Sequence, residues 1–251
     1  MSDSVTRFSN RVENYVKYRP GYPKEILDLF RNEMNLDENS VIADIGSGTG
    51  ISAKLFLENG NEVLGIEPNE IMREAAEDFL QDFPKFKSIN GTAENTTLDD
   101  NSVDFVIAAQ AFHWFDHKKT REEFKRILKD KGFIALIWNE RQLDTNEFLR
   151  DYEKTLVKFG TDYEQVRHEN ITKDVLEKAF QIEFKQAVFE NSQILDFEGM
   201  KGRILSSSYM PSPEHPRFDE LIKILKTLFA EHQKNGKIQV LYDTNIFYSQ
   251  F

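Results

Sequence analysis

The chain has 251 residues, with 43 Asp and Glu against 32 Lys and Arg and a formal net charge of -11. That length supports one large α/β core over residues 1–251, and the acidity, with no Lys/Arg-rich run, speaks against a nucleic-acid partner, which needs a basic stripe to displace counterions. Cysteine is absent, which excludes disulfides, thiol nucleophiles and Cys-based zinc sites.

Residues 1–22 read as a polar, then aromatic and extended N-terminal arm. Met1 to Arg11 carries no apolar run, so neither a secretory leader nor a membrane span is expected, and the expected location is the cytoplasm. Pro23 to Met34 has helical spacing at Ile26, Leu29, Phe30 and Met34. Val41-Ile42-Ala43 is a buried strand running into Asp44 and a glycine cluster, and Ser52 to Glu58 is a short helix stopped by Gly60. Glu62 to Ile66 is a second strand ending at Glu67. Asn69 then caps a helix whose apolar face includes Ile71, Met72, Ala75, Ala76 and Phe79.

Phe86 to Ile89 is a weaker strand and Val103 to Ala109 a strong one, leading into Phe112, His113, Trp114 and Phe115. Thr120 and Glu123 have capping-box spacing ahead of Phe124, Ile127 and Leu128, and Gly132 should close that helix before the strand Phe133 to Trp138. Such alternation requires a mostly parallel sheet with helices on both faces, a Rossmann-like α/β fold. Residues 140–183 contain two helical patterns in succession, around Phe148 to Phe159 and Val175 to Phe180, and read as a helical cap. Residues 184–251 supply strands at Phe184 to Phe189 and at Ile238 to Phe247, around a helix with Phe218, Leu221, Leu225 and Leu228 on one side; these complete the sheet with an antiparallel edge.

The chemistry concentrates at Asp44-Ile45-Gly46-Ser47-Gly48-Thr49-Gly50. Glycines at alternate positions let the backbone turn tightly against a ligand at the carboxyl end of a strand. The spacing is not that of a dinucleotide loop, because Ile51 stands where the third glycine would. Asp44 would also repel a pyrophosphate, whereas S-adenosylmethionine has none and carries an ammonium and a sulfonium. Glu67, about twenty residues on, suits the two hydroxyls of a ribose, which both cofactors possess. A nicotinamide oxidoreductase is therefore disfavoured. The turn Gly91-Thr92-Ala93-Glu94 lies where an adenine edge would fall. No metal or covalent nucleophile is required for methyl transfer from a sulfonium, which needs alignment and exclusion of water.

These residues resemble the class I S-adenosylmethionine-dependent methyltransferases. Asp44 to Gly50 is similar to that family's first motif, Ile66-Glu67-Pro68 to its acidic second motif, and Thr92-Ala93-Glu94 to its adenine-proximal segment. The arm Tyr15-Val16-Lys17-Tyr18-Arg19-Pro20-Gly21-Tyr22-Pro23 and the segment Ala111 to Phe115 resemble a narrower branch, that of trans-aconitate methyltransferase, as do Gly202-Arg203 and Ser206 to Tyr209. The resemblance implies a seven-stranded sheet and a small-molecule methyl acceptor. It implies cofactor contacts from Tyr15, Arg19, Asp44, Gly46, Ser47, Gly48, Gly50, Glu67, Pro68, Thr92, Ala93, Glu94 and Gln110. His113 stands as a candidate base or as a wall histidine beside Trp114. Trp114, Asn139, Arg203 and Tyr209 are candidate acceptor contacts, with Arg203 either an anion fork or one half of a structural ion pair. A non-catalytic adenosylmethionine-binding protein and a methyltransferase of RNA or protein are the alternatives.

Overall fold

The computed structural model describes residues 12–161, 172–207 and 209–251. Seven strands form one sheet: β1 (Val41–Ile45), β2 (Glu62–Ile66), β3 (Phe86–Ile89), β4 (Val103–Ala109), β5 (Leu128–Arg141), β6 (Lys185–Leu195) and β7 (Ile238–Gln250). Their order is 3-2-1-4-5-7-6. The first five strands run parallel, and β7 is antiparallel to both neighbours, so the expected mostly parallel sheet with an antiparallel edge is present. β1 and β4 are apolar on both faces because helices cover both.

The helices are α1 (Val12–Tyr18), α2 (Ile26–Met34), α3 (Ile51–Glu58), α4 (Glu70–Phe79), α5 (His117–Ile127), α6 (Glu147–Phe159), α7 (Lys173–Phe180), α8 (Phe197–Leu205) and α9 (Phe218–His232). One sheet face buries Ile42, Phe105, Ile107 and Ile246 under Ile26 and Phe30 of α2 and Phe56 of α3. The other buries Val106, Ile134, Leu136, Trp138 and Phe247 under Phe124 of α5 and Leu176 and Phe180 of α7. A third cluster joins Tyr152 and Leu156 of α6, Met200 and Ile204 of α8, Leu221 and Leu225 of α9, and the first half of β7. The two helices read from sequence as one cap therefore part company: α6 joins the third cluster, while α7 covers the sheet beside α5. Among the described residues no helix is long and apolar enough to cross a membrane.

Three local expectations are corrected. The arm is helical rather than extended over Val12–Tyr18. Helix α5 begins three residues before Thr120, capped by Asp116, whose carboxylate accepts from the Lys119 amide. Glu123 is turned inward instead, accepting from the Thr96 amide at 2.7 Å and hydroxyl at 2.5 Å and pairing with Arg126 at 2.7 Å. That helix also ends at Ile127, and Lys131, not Gly132, takes the left-handed conformation (φ 64°). Gly132 is needed for space, since a Cβ there would lie 2.7 Å from Leu128 Cδ2 and 3.1 Å from the Asp104 carbonyl oxygen.

Because Phe180 is fully buried among Phe112, Phe124 and Phe184, Phe180→Ala should cost about 3–5 kcal/mol of stability, as core phenylalanines do. Urea denaturation measures this. A negligible loss would mean that α7 is a detachable cover and not part of the sheet layer.

Candidate functional site

The parallel strands β1, β2 and β4 end on one edge, and the sequence-identified residues gather there. After Asp44 the chain passes through Gly46, Gly48 and Gly50, all at positive φ (68°, 54° and 81°), into α3. A Cβ on Gly46 would meet Ala111 Cβ at 2.7 Å and one on Gly50 would meet Leu80 Cδ1 at 2.6 Å, so the loop is wedged by protein on both sides. Gly48 is different, with nothing within 4 Å of where its Cβ would stand. The Gly46 and Ser47 amides donate to the Ile66 carbonyl at 2.8 and 3.2 Å, fastening the loop to the end of β2. Glu67 follows directly, accepting from the Gly48 amide at 3.1 Å and the Asn69 amide at 2.9 Å. Burial pushes its pKa up, and the two amides act against that push. Pro68 is exposed beside it. Asn69 caps α4 as expected, accepting from Ile71 and Met72.

Asp44 is completely buried. Its Oδ2 accepts from Ser52 Oγ at 2.6 Å, while Oδ1 has no hydrogen-bond donor. Burial above all lifts its pKa to about 7; the Ser52 hydroxyl opposes the shift, the Glu67 carboxylate adds to it, and the Ala53 amide again opposes it. Ser52 was not singled out from sequence, although its place in the first turn of α3, eight residues after Asp44, is the signal that would have found it.

Beyond β3, Thr92 and Asn95 pair through their backbones (3.0 and 3.2 Å), which makes a tight turn around the buried Ala93. Glu94 reaches across to accept from the Asp116 amide at 2.8 Å, so its carboxylate holds this turn to the start of α5. Gln110, after β4, takes the left-handed conformation (φ 59°), and its side-chain amide donates to the Asn139 carbonyl at 3.1 Å. His113 lies in the short 3-10 turn Phe112–Trp114, half-buried, its ring 4.7 Å from that of Trp114, which is 39% exposed.

Helix α1 touches both α4 and α8, and so spans the edge between them. The Tyr18 ring lies so close to Gly202 that a Cβ there would overlap it at 2.1 Å. Gln193 donates to the Tyr18 carbonyl at 3.1 Å and Arg19 to the Ser206 carbonyl at 3.2 Å. The Tyr15 side chain lies outside the described residues. Asn139, expected to face the acceptor, is a tether: its Nδ2 donates to Gly21 O at 3.1 Å, and its Oδ1 accepts from Thr244 at 2.5 Å and Asn191 at 3.1 Å.

Arg203 projects from α8 into a wall of tyrosines. Its Nε donates to the Tyr242 hydroxyl at 3.2 Å, its guanidinium stands 6.0 Å over the Tyr242 ring, and that hydroxyl donates to Gln193 at 2.9 Å. Tyr152 is buried alongside and Tyr209 half-buried. No carboxylate among the described residues pairs with Arg203, whose side chain is half-buried among these tyrosines. Next to it, Arg141 pairs with Glu153 and stacks 4.7 Å over Tyr152. Tyr242 is opposite Arg141 in the β5–β7 ladder, four residues past the last β4 pairing at Ile137. At strand rise Tyr242 and Arg141 lie about 13 Å beyond the end of β4.

Residues 43–136 match the family model described as a methyltransferase domain. A methyltransferase-like protein of Schizosaccharomyces pombe is 28% identical over 97% of this chain and 94% of its own length. A Mycobacterium tuberculosis methyltransferase is 35% identical over 55% of this chain and 54% of its own. The solved structure of a provisionally assigned type II methyltransferase from Anaeromyxobacter dehalogenans shares the fold, with a TM-score of 0.69 at 20% identity over 93% of this chain and 98% of that one. Residues 43–136 are thus a methyltransferase domain, and the chain is an S-adenosylmethionine-dependent methyltransferase. Its site fits that cofactor: the Gly48 side of the loop is open, and the buried Asp44 oxygen without a donor is suited to an ammonium.

The raised Asp44 pKa fixes the sign of a stability change. The unfolded chain releases this proton near pH 4 and the folded methyltransferase near pH 7. The folded state therefore binds more protons between these values, and stability falls as pH rises through that window, by up to about 4 kcal/mol. Asp44→Asn should lack this slope when urea denaturation is followed from pH 4 to 8; an unchanged slope would show that Asp44 ionises normally.

Proposed function

We propose that this methyltransferase acts on a small molecule carrying an anionic group, and that Arg203 seats that group. The observation that carries the reading is a half-buried guanidinium beyond the strand ends that has no carboxylate partner among the described residues and is held by the Tyr242 hydroxyl. A planar fork matches a carboxylate through two parallel hydrogen bonds, and an environment shielded from water strengthens the pair. Tyr209 belongs to the same wall, and Trp114 to the wall nearer the glycine loop. The likeness of the arm and of Gly202 to Tyr209 to the trans-aconitate methyltransferase branch points to the same class of acceptor.

When bound, S-adenosylmethionine supplies an already activated methyl group, so the protein's task is to hold, align and dehydrate. Asp44 accepts from the ammonium, and the Gly46, Ser47, Gly48 and Gly50 backbone forms the bed of the site. Glu67, followed by Pro68, accepts from the ribose hydroxyls. Thr92 and Ala93 flank the adenine, with Glu94 bracing their turn from Asp116. Arg19 and Tyr15 close the arm over the methionine end, and Gln110 lines the floor. A carboxylate acceptor is already a nucleophile at neutral pH, so His113 serves as wall; for an acceptor bearing a proton it is placed to take it. Helices α6 and α8 roof the acceptor's place beside Arg203.

Glu67→Ala should weaken S-adenosylhomocysteine by about 1.5–3 kcal/mol in titration calorimetry, the range for hydrogen bonds to a charged group, with NAD undetectable in either protein. NAD binding more tightly than the adenosyl ligand would overturn the cofactor assignments.

In a kinetic assay with a carboxylate acceptor, Arg203→Lys should lower kcat/KM for the acceptor roughly tenfold or more while cofactor affinity is kept, because charge survives and the fork does not. Unchanged kinetics would remove Arg203 from the site.

A further inference from the structure

We propose a second anion site, separate from the methyl-transfer cleft, in the groove between α5 and α7, where the methyltransferase binds a small phosphate-bearing molecule. The groove has a volume of about 470 Å³, in the size range of metabolite pockets. Among the described residues it is lined by His117, Lys118 and Arg121 of α5, Val175, Lys178 and Ala179 of α7, and Gln181 at the end of α7.

Three features point to an anion. In a chain of net charge -11, many basic side chains pair with an acid, as Arg126, Lys129, Arg141 and Lys185 do. Among the described residues Lys118, Arg121 and Lys178 have no ion pair, although all three face the same groove, and Arg121 Nε is buried without a described acceptor.

Second, His117, Lys118 and Lys119 occupy the first turn of α5, which contains no acidic residue. The amino end of a helix already carries partial positive charge, so cations there oppose the macrodipole unless an external anion compensates them. Only Lys119 is partly relieved, by the capping Asp116 at 3.8 Å. Local sequence preference is thus violated where the groove opens, as happens at functional sites.

Third, the site has structure as well as charge. His117 is stacked flat on the buried Phe112 (4.5 Å between rings, 11° between planes), which fixes it at the groove wall. Val175, Ala179 and the lysine stems form an apolar surface beside the charged heads. Three cations facing one groove exceed what one carboxylate neutralises. A phosphate monoester or diphosphate, carrying about two or more negative charges and several acceptor oxygens, matches an arginine fork flanked by two lysines.

The test is titration calorimetry of the full-length protein with inorganic pyrophosphate at physiological salt. We expect saturable one-to-one binding, weakened roughly tenfold or more in the double variant Arg121→Gln/Lys178→Gln and unchanged in Arg203→Gln, since charge-assisted contacts carry the affinity. S-adenosylhomocysteine affinity in the double variant reports that the protein remains folded. Absence of saturable pyrophosphate binding would overturn the proposal, as would binding lost in Arg203→Gln and retained in the double variant, because the anion would then be beside Arg203. Citrate bound in the groove as tightly as pyrophosphate would overturn the assignment to phosphate.

Discussion

Asp44 stands at the end of β1 with one carboxylate oxygen on Ser52 and the other without a donor, inside a loop that protein closes on two sides. A buried carboxylate satisfied on only one side is costly, and its proton is held to about pH 7 as a result. The surrounding structure maintains the arrangement: Ile66 O anchors the loop, Ala111 and Leu80 prevent it from relaxing, and Glu67 is held on the Gly48 amide. A cationic group arriving beside Asp44 would complete the missing contact and favour the ionised carboxylate. Preorganisation here consists of a polar atom left wanting and a backbone that cannot move to meet it.

The other side of the cleft depends on a quite different interaction. Asn139 gathers the arm, β6 and β7 onto the end of β5 through one amide group, and Gly202 gives the Tyr18 ring its place on α8. The arm is thereby tied to the same helix that presents Arg203, one turn from the Ser206 carbonyl held by Arg19. Tyr18, Gln193 and Arg19 together join α1 and the chain after it to β6 and the end of α8.

Residues whose roles are local were legible in the sequence. The Asp44 loop, Glu67 at the end of β2, the Asn69 cap and the antiparallel edge all follow from strand-turn-helix spacing and alternation. Where a side chain answers to something distant, local reading failed. Thr120 and Glu123 have the spacing of a capping box, but Glu123 is used by Thr96, 27 residues away. Asn139, a candidate acceptor contact, also ties together chain segments 105 and 118 residues distant, which local reading did not show. Gly132 looks like a helix stop and is a packing necessity against Leu128. The surroundings of Arg203 were visible in the sequence only as Arg203 and Tyr209, because Tyr152, Gln193 and Tyr242 arrive from three other elements. Helix α8 itself escaped notice, although Asp196 capping Gly199 is a local signal for its start.

Charge is distributed unevenly in a way the net value conceals. Arg141, buried like its partner Glu153, has its ion pair, and Lys129 of β5 and Lys185 of β6 have theirs. Among the described residues, Arg203 has a phenol and an aromatic face from Tyr242 and no ion pair. A buried cation without a counter-ion lowers stability, and an acid from this carboxylate-rich chain could have been placed beside it at little cost to packing. A ligand anion arriving at such a group gains more than it would at a paired arginine, because the penalty of stripping water from the guanidinium has already been borne in folding, and no resident carboxylate has to be displaced.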